Sequence, residues 1–197
     1  MSKVSEKRMI EERVVNFFSG KKEYRSLSNF WECEVVVSDG SGVRVYESGE
    51  HCFHGEKYIR NGMACADEGR KLVLLEYGER FLKPSRYRSG VEAKKAGGKK
   101  GLLLTGPELS TWSEVSIGVQ EEICSYKMEA YEEVREDVRR SEGKWLVHPA
   151  LRCSEEKLVS SRVWEGKGVI VDGEVVVIGR NMLGNIWMGL RGENNKK

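Results

Sequence analysis

Two stretches of the chain carry β-favouring apolar runs around Asp-Gly turns, and two others carry apolar residues at three- and four-residue steps. Cys33-Glu34-Val35-Val36-Val37 and Val43-Arg44-Val45-Tyr46 flank Ser38-Asp39-Gly40-Ser41-Gly42, a pattern that predicts a β-hairpin. Gly168-Val169-Ile170-Val171-Asp172-Gly173-Glu174-Val175-Val176-Val177-Ile178 repeats the signal and predicts a second. Residues 66–82, with Leu72, Val73, Leu75 and Phe81 on the apolar side and Pro84 beyond, read as a helix. The longest helix is expected from residue 108 or 110 to about 140, where Trp112, Val115, Val119, Ile123, Tyr126, Ala130 and Val134 form one core-facing stripe. Shorter elements fill the rest. Val14-Val15-Asn16-Phe17-Phe18-Ser19 is a β-favouring run stopped by Gly20. Pro149 holds Trp145-Leu146-Val147-His148 extended. Glycines punctuate a turn at Gly179 into a short helix ending near Arg191. The sum is an α+β fold, mainly helical, with two small β-hairpins.

The first hairpin leads directly into Ser48-Gly49-Glu50-His51-Cys52-Phe53-His54-Gly55-Glu56-Lys57. Ser48 is placed to cap a helix, and on that helix Glu50, His54 and Lys57 fall at i, i+4 and i+7, on one face with Phe53 close by. A carboxylate, an imidazole and an amine on one stripe fit either an active-site face or an ordinary charged surface with Phe53 as core. Val91-Glu92-Ala93-Lys94-Lys95-Ala96 runs into Gly97-Gly98-Lys99-Lys100-Gly101. That basic loop reads as a solvated linker or as a phosphate clamp of lysines and backbone N–H groups. No Gly-x4-Gly-Lys-Ser/Thr pattern supports a P-loop.

Length, with 39% hydrophobic and 32% charged residues in 197, suits one compact domain over 15–191 between a charged N-terminal extension, 1–14, and a charged tail, 192–197. The net charge of +2, from 33 basic and 31 acidic residues, argues against a bulk nucleic-acid coat protein and leaves room for a small anion held by local cations. Cys33, Cys52, Cys65, Cys124 and Cys153 are scattered and odd in number, which fits free thiols in a reducing compartment. The N-terminus lacks an apolar leader and no run approaches a membrane span. A soluble, cytoplasmic protein without a membrane partner is expected. His51 and His54 stand three apart with no third ligand at metal spacing, so no metal is expected.

Three groups of residues now stand in order: Phe17-Phe18 followed by Tyr24-Arg25-Ser26-Leu27-Ser28-Asn29-Phe30; Ser48-Gly49-Glu50-His51 with Lys57; and Gly179-Arg180-Asn181-x-Leu183-Gly184 with Met188 and Arg191. Together they resemble the YbiA-like family, also called NADAR, over roughly residues 15–191. Trp112 and Lys127-Met128 sit where the family's central helix carries a Trp and a Lys. The resemblance implies a mostly helical single domain that hydrolyses an N-glycosidic bond between a ribose and a base or amine, with no cofactor. It implies as substrate a phosphorylated ribosylamino-pyrimidine intermediate of riboflavin synthesis or an ADP-ribosyl-guanine adduct; nucleic acid enters only as such an ADP-ribosylated substrate. Glu50 and Lys57 match the family's glutamate and lysine. Asn29, Arg180 and Asn181 are candidates for holding ribose hydroxyls and phosphate, Phe30 and His54 for the wall, and Trp31 or Trp164 for stacking on the base.

The chain departs from the family pattern at Ser160-Ser161-Arg162-Val163-Trp164-Glu165-Gly166-Lys167-Gly168. Ser161 stands where the family carries an aspartate, so Glu165, or one of Glu155 and Glu156, is the replacement carboxylate if there is one. Gly98-Lys99 stands where the family has Gly-Arg, which keeps a cation of different geometry. Cleavage of an N-riboside passes through an oxocarbenium-like transition state and needs a carboxylate near C1′. Glu50 is assigned that role, with Lys57 either positioning oxygens or acting as a Schiff-base nucleophile. The alternative is a nucleotide or ADP-ribose binding module that keeps the pocket without the turnover. A scaffold with no small-molecule pocket is the third reading.

Overall fold

The computed structural model describes residues 3–192 apart from 19, 21 and 152. Of the charged tail expected at 192–197, all but Gly192 lies outside the described residues. The chain forms two compact units, one made by residues 29–127 and the other by its two ends, 1–28 and 128–197. Among the described residues no helix is long and apolar enough to cross a membrane.

The central unit begins with β2 (Glu32–Asp39) and β3 (Gly42–Ser48), antiparallel with Val35 opposite Tyr46 and Val37 opposite Arg44. Side chains at alternate positions, Val35, Val37, Arg44, Tyr46 and Ser48, share the buried face. The two turn residues are Gly40 and Ser41 rather than Asp39 and Gly40. Asp39 stays in the strand, and its carboxylate accepts from the Ser41 N–H (2.9 Å) and hydroxyl (2.5 Å).

Helix α2 (Gly49–Ala64) follows without a linker. Ser48 is extended and its hydroxyl accepts the His51 N–H, the capping geometry expected from the sequence. Helix α3 (Glu68–Glu79) starts at an Asp67 cap, which accepts the Arg70 N–H at 2.6 Å. It is shorter than the expected 66–82, and its buried face differs from the expected one. Leu72 and Val73 are exposed, whereas Leu74, Gly78 and, just past the helix, Phe81 are buried. The reason is the close approach of α2 and α3. A Cβ on Gly78 would meet Ile59 Cγ1 at 2.6 Å, and one on Gly62 would meet Leu75 Cδ2 at 2.8 Å. Glycines therefore form the seam that an apolar count assigns to Leu72 and Val73.

Helix α4 (Gly90–Gly97) is capped by Ser89, which accepts the Glu92 N–H, while Glu92 accepts the Arg88 N–H at 2.9 Å. Helix α5 (Gly106–Ala130) carries Val119 and Ile123 into the core with Val35, Tyr46, Tyr58, Leu74 and Phe81. The expected single helix to about 140 is broken at Tyr131, which is extended, and α6 (Glu132–Arg140) starts anew. Arg135 explains how the break is tolerated. Its guanidinium donates to the carbonyls of Met128 (3.0 Å) and Glu129 (2.7 Å), orphaned where α5 ends.

In the other unit α1 (Lys3–Arg13) leads into β1 (Val14–Asn16), which pairs in parallel with β4 (Trp145–Val147). After α7 (Glu155–Ser161) comes the hairpin of β5 (Lys167–Val171) and β6 (Glu174–Ile178), turned by Asp172 at φ 51° and Gly173 at φ 83°. Both central residues at positive φ define the Asp-Gly hairpin turn read from the sequence. Ile10 and Val14 lie against Gly168 of that hairpin. Helix α8 (Met182–Leu190) closes the unit, with the Trp187 indole donating to the Leu27 carbonyl at 3.0 Å.

Candidate functional site

Helix α2 aims Glu50, His54 and Lys57 at α4, and the three find different partners there. Glu50 is buried, and its N–H is fixed by the Asn29 carbonyl at 2.9 Å. Its Oε1 lies 3.2 Å from His54 Nε2 and 4.0 Å from Lys94 Nζ. No donor among the described residues bonds its Oε2. A carboxylate only accepts, so the His54 proton is assigned to Nε2. Burial lowers the imidazole's basicity, and the charges of Lys57 and Lys94 add to this against the opposing pull of Glu50.

The Lys57 amine donates to the Gly97 carbonyl at the end of α4 and lies 4.6 Å from the Tyr58 ring centre. Burial pulls its pKa down from 10.5 to about 8. An amine in this range is neutral in a useful fraction at physiological pH, the condition a lysine nucleophile needs. Lys94 is exposed and stands over the Phe30 ring at 5.2 Å. Phe30 in turn packs on Gly90, where a Cβ would meet its Cδ1 at 3.1 Å and Glu50 Cβ at 3.3 Å.

The other predicted residues of this unit are more engaged. The Asn29 carboxamide exchanges two hydrogen bonds with Gln120, at 2.7 and 3.1 Å. Trp31 is half-buried, with the buried Lys127 amine 5.5 Å from its ring centre. Lys99 is exposed. In the loop 97–101 the N–H groups of Gly98 and Gly101 close local turns, onto Lys95 and Gly98. Carbonyls accept from the core instead: Ala96 from Tyr77 (3.1 Å), Leu102 from Tyr58 (2.9 Å) and Gly97 from Lys57. Two of the loop's N–H groups are thus engaged within the loop, and lysine side chains supply its charge. His51 is a structural histidine, with Nε2 donating to the Tyr87 carbonyl (2.9 Å) and Nδ1 accepting from Ser48 (2.8 Å).

Glu165 pairs with Arg162 at 3.5 Å, and its main-chain carbonyl accepts the Asn181 N–H at 2.9 Å. The Ser161 hydroxyl donates to the Lys157 carbonyl at 2.8 Å. Trp164 is half-buried and Arg180 is exposed. Asn181 is buried in the left-handed region at φ 44°, where Asn is among the few tolerated residues. Its Oδ1 accepts the His148 N–H (3.1 Å) and its Nδ2 donates to the Leu146 carbonyl (2.9 Å), joining β4 to α8. Asn181→Ala is expected to lower stability by about 2–4 kcal/mol, because it orphans two backbone groups. Urea unfolding checks this, and a loss under about 0.5 kcal/mol, the size of an ordinary surface change, contradicts it.

Lys94 and Gly97 are the two contributors that the hydrophobic pattern did not single out. The signal was present in Ser89-Gly90-Val91-Glu92, a capping-box spacing that opens α4.

No family profile matches the chain, and no curated protein matches it. Among solved structures, the NMR structure of the E. coli protein YbiA is similar to it with a TM-score of 0.54 at 22% identity, covering 92% of this chain and 84% of that chain. The chain has the YbiA-like fold, a mainly helical α+β architecture.

Proposed function

We propose that the protein is an N-glycoside hydrolase that cleaves the N-ribosidic bond of a phosphorylated ribosylated base or amine, or of an ADP-ribosyl-guanine adduct. The observation that carries this reading is the buried Glu50 carboxylate. One of its oxygens is held by His54, no donor among the described residues bonds the other, and Lys57, with its pKa about 8, stands two helical turns away. Breaking the C1′–N bond sends the electron pair to the departing nitrogen and leaves positive charge on C1′ and the ring oxygen, which a fixed carboxylate stabilises. In one route Glu50 takes a proton from water as it adds to C1′, and the departing nitrogen is protonated in turn. In the other, the neutral Lys57 amine adds to C1′ and displaces the base, which takes up the proton that the amine gives up. Ring opening then gives an iminium, which water hydrolyses to the phosphorylated ribose, or to ADP-ribose, and the restored amine. Lys94, with the exposed Lys95, Lys99 and Lys100, supplies charge for a phosphate.

One observation favours a second reading, a nucleotide or ADP-ribose binding module. Glu165 is paired with Arg162 and Ser161 is bonded to its own helix, so neither stands ready as the missing acid.

The test is chromatographic detection of free base from ribosylamino-pyrimidine phosphates and from ADP-ribosylated guanosine. Release is expected from at least one. Binding of ADP-ribose with no release from any substrate would establish the binding module instead. The amine route adds a pH signature. Release rises about tenfold per unit as pH increases toward 8 and levels off above it, because the neutral amine is the reactant. Lys57→Met removes the rise, and borohydride traps a covalent adduct on the unmutated protein alone. A rate that falls through pH 8 excludes the amine route and leaves the water route.

A further inference from the structure

Neither route uses His54 as a reactant, yet its ring is packed closely against Gly97. We propose that His54 is a positioning residue, wedged against Gly97 so that it holds Glu50 Oε1 and leaves Oε2 as the reacting oxygen. The inference rests on the reading of Glu50 as the reacting carboxylate.

The ring has one workable placement. Nε2 faces Glu50 Oε1 at 3.2 Å, whereas Nδ1 is buried and has no hydrogen-bond partner. Turning the ring over would point a carbon at the carboxylate. The face of Gly97 blocks sideways movement: a Cβ there would stand 2.1 Å from His54 Cγ and 2.1 Å from Nδ1. Gly97 has no positive φ among the described residues, so packing against the imidazole, and not backbone strain, makes glycine necessary at this point. Phe53 meets the ring edge-on at 5.7 Å and Phe81 lies 6.4 Å away. The charged groups around the imidazole are Glu50 and Lys57 on α2 and Lys94 on α4. A second proton would have to sit on Nδ1, against the Gly97 carbon, with no acceptor and with cations on both flanking helices. The ring is therefore held as the neutral Nε2–H tautomer, a fixed single donor.

Fixing a carboxylate by one oxygen matters because misplacement by about 1 Å can cost about a hundredfold in rate. His54→Leu is expected to lower kcat for base release about 10- to 100-fold with KM changed less than about threefold. His54→Gln, whose amide can still donate to Oε1, is expected to recover most of that loss. Gly97→Ala pushes the ring without touching Glu50 and should lower kcat as well. Added to His54→Ala it should cost less than it does alone, since the contacts with Cγ and Nδ1 have gone and only the one with Cβ, at 2.6 Å, remains, and this non-additivity marks the two residues as one device. If His54→Leu retains full kcat while Glu50→Gln is inactive, the positioning role is overturned and the reading of Glu50 stands. If Glu50→Gln itself retains full activity, the parent reading falls. A third readout needs neither substrate nor turnover: long-range proton–nitrogen NMR correlations of the unmutated protein should report the Nε2–H tautomer of His54. The Nδ1–H tautomer would overturn the proposal whatever the kinetics.

Discussion

Glu50→Gln is expected to lower base release from an N-riboside by about 10²- to 10⁴-fold, the range spanned by removal of a positioned acid–base or electrostatic group, with the dissociation constant for ADP-ribose expected to stay within about threefold. The substitution suits the site because it changes charge and little else. Glutamine matches glutamate in length, its Oε1 can still accept the His54 Nε2–H, and the main-chain bond from residue 50 to the Asn29 carbonyl is untouched. The developing charge on C1′ loses its counter-ion, and an amide takes no proton from water. Lys94, the cation proposed to meet the phosphate, keeps its place over Phe30. Rate and calorimetry together make the test. Base release continuing undiminished would show that Glu50 is not the catalytic carboxylate.

Much of the fold is legible in local chemistry. Both hairpins follow from apolar runs around Asp-Gly, and the entry to α2 follows from Ser48. What escapes is set by groups distant in sequence or too small to register as apolar. The α2–α3 seam depends on Gly62 and Gly78 meeting Leu75 and Ile59, and a glycine contributes nothing to a hydrophobic stripe. The break at Tyr131 depends on Arg135 satisfying the last carbonyls of α5, while the apolar spacing runs on past it to Val134. The site divides in the same way. Glu50 and His54 are visible as an i, i+4 pair on one helix. Their surroundings are supplied by Lys94 and Gly97 some forty residues later, and only the folded chain shows Lys57 on the Gly97 carbonyl. Polar residues read as ligand holders can equally serve backbone groups that the fold would otherwise orphan. The carboxamides of Asn29 and Asn181 are occupied by Gln120 and by the main chain around β4.

Glu56→Ala lowers the unfolding free energy by about 3–5 kcal/mol, the cost of removing one partner from a buried ionic group. Glu56 is fully buried one residue before Lys57, on the side of α2 that faces the hairpin. It accepts from Arg44 at 2.7 and 3.1 Å, from the Tyr46 hydroxyl at 2.6 Å and from Arg60 at 2.9 Å. Burial, reinforced by the Glu56 charge, pushes the Tyr46 hydroxyl well above its usual pKa and so keeps it a neutral donor. Removing the carboxylate leaves the Arg44 guanidinium on the buried face of β3 with only Asp39, at the end of β2 and 2.6 Å away, and the Ser41 hydroxyl, at 2.7 Å, as partners among the described residues. The exposed pair of Arg8 and Glu12, 3.0 Å apart on α1, is the natural contrast, since breaking such a pair changes stability by about 0.5 kcal/mol or less. Urea unfolding of Glu56→Ala beside Arg8→Ala measures the difference, and a loss below about 1 kcal/mol would mean that Glu56 does not anchor the hairpin. The loss should also reach the candidate site. Helix α2 carries Glu56 toward the hairpin and Glu50, His54 and Lys57 toward α4, so loosening the first face frees the second. At temperatures where Glu56→Ala remains folded, its kcat is therefore expected to fall more than its affinity for ADP-ribose, because alignment suffers before binding does.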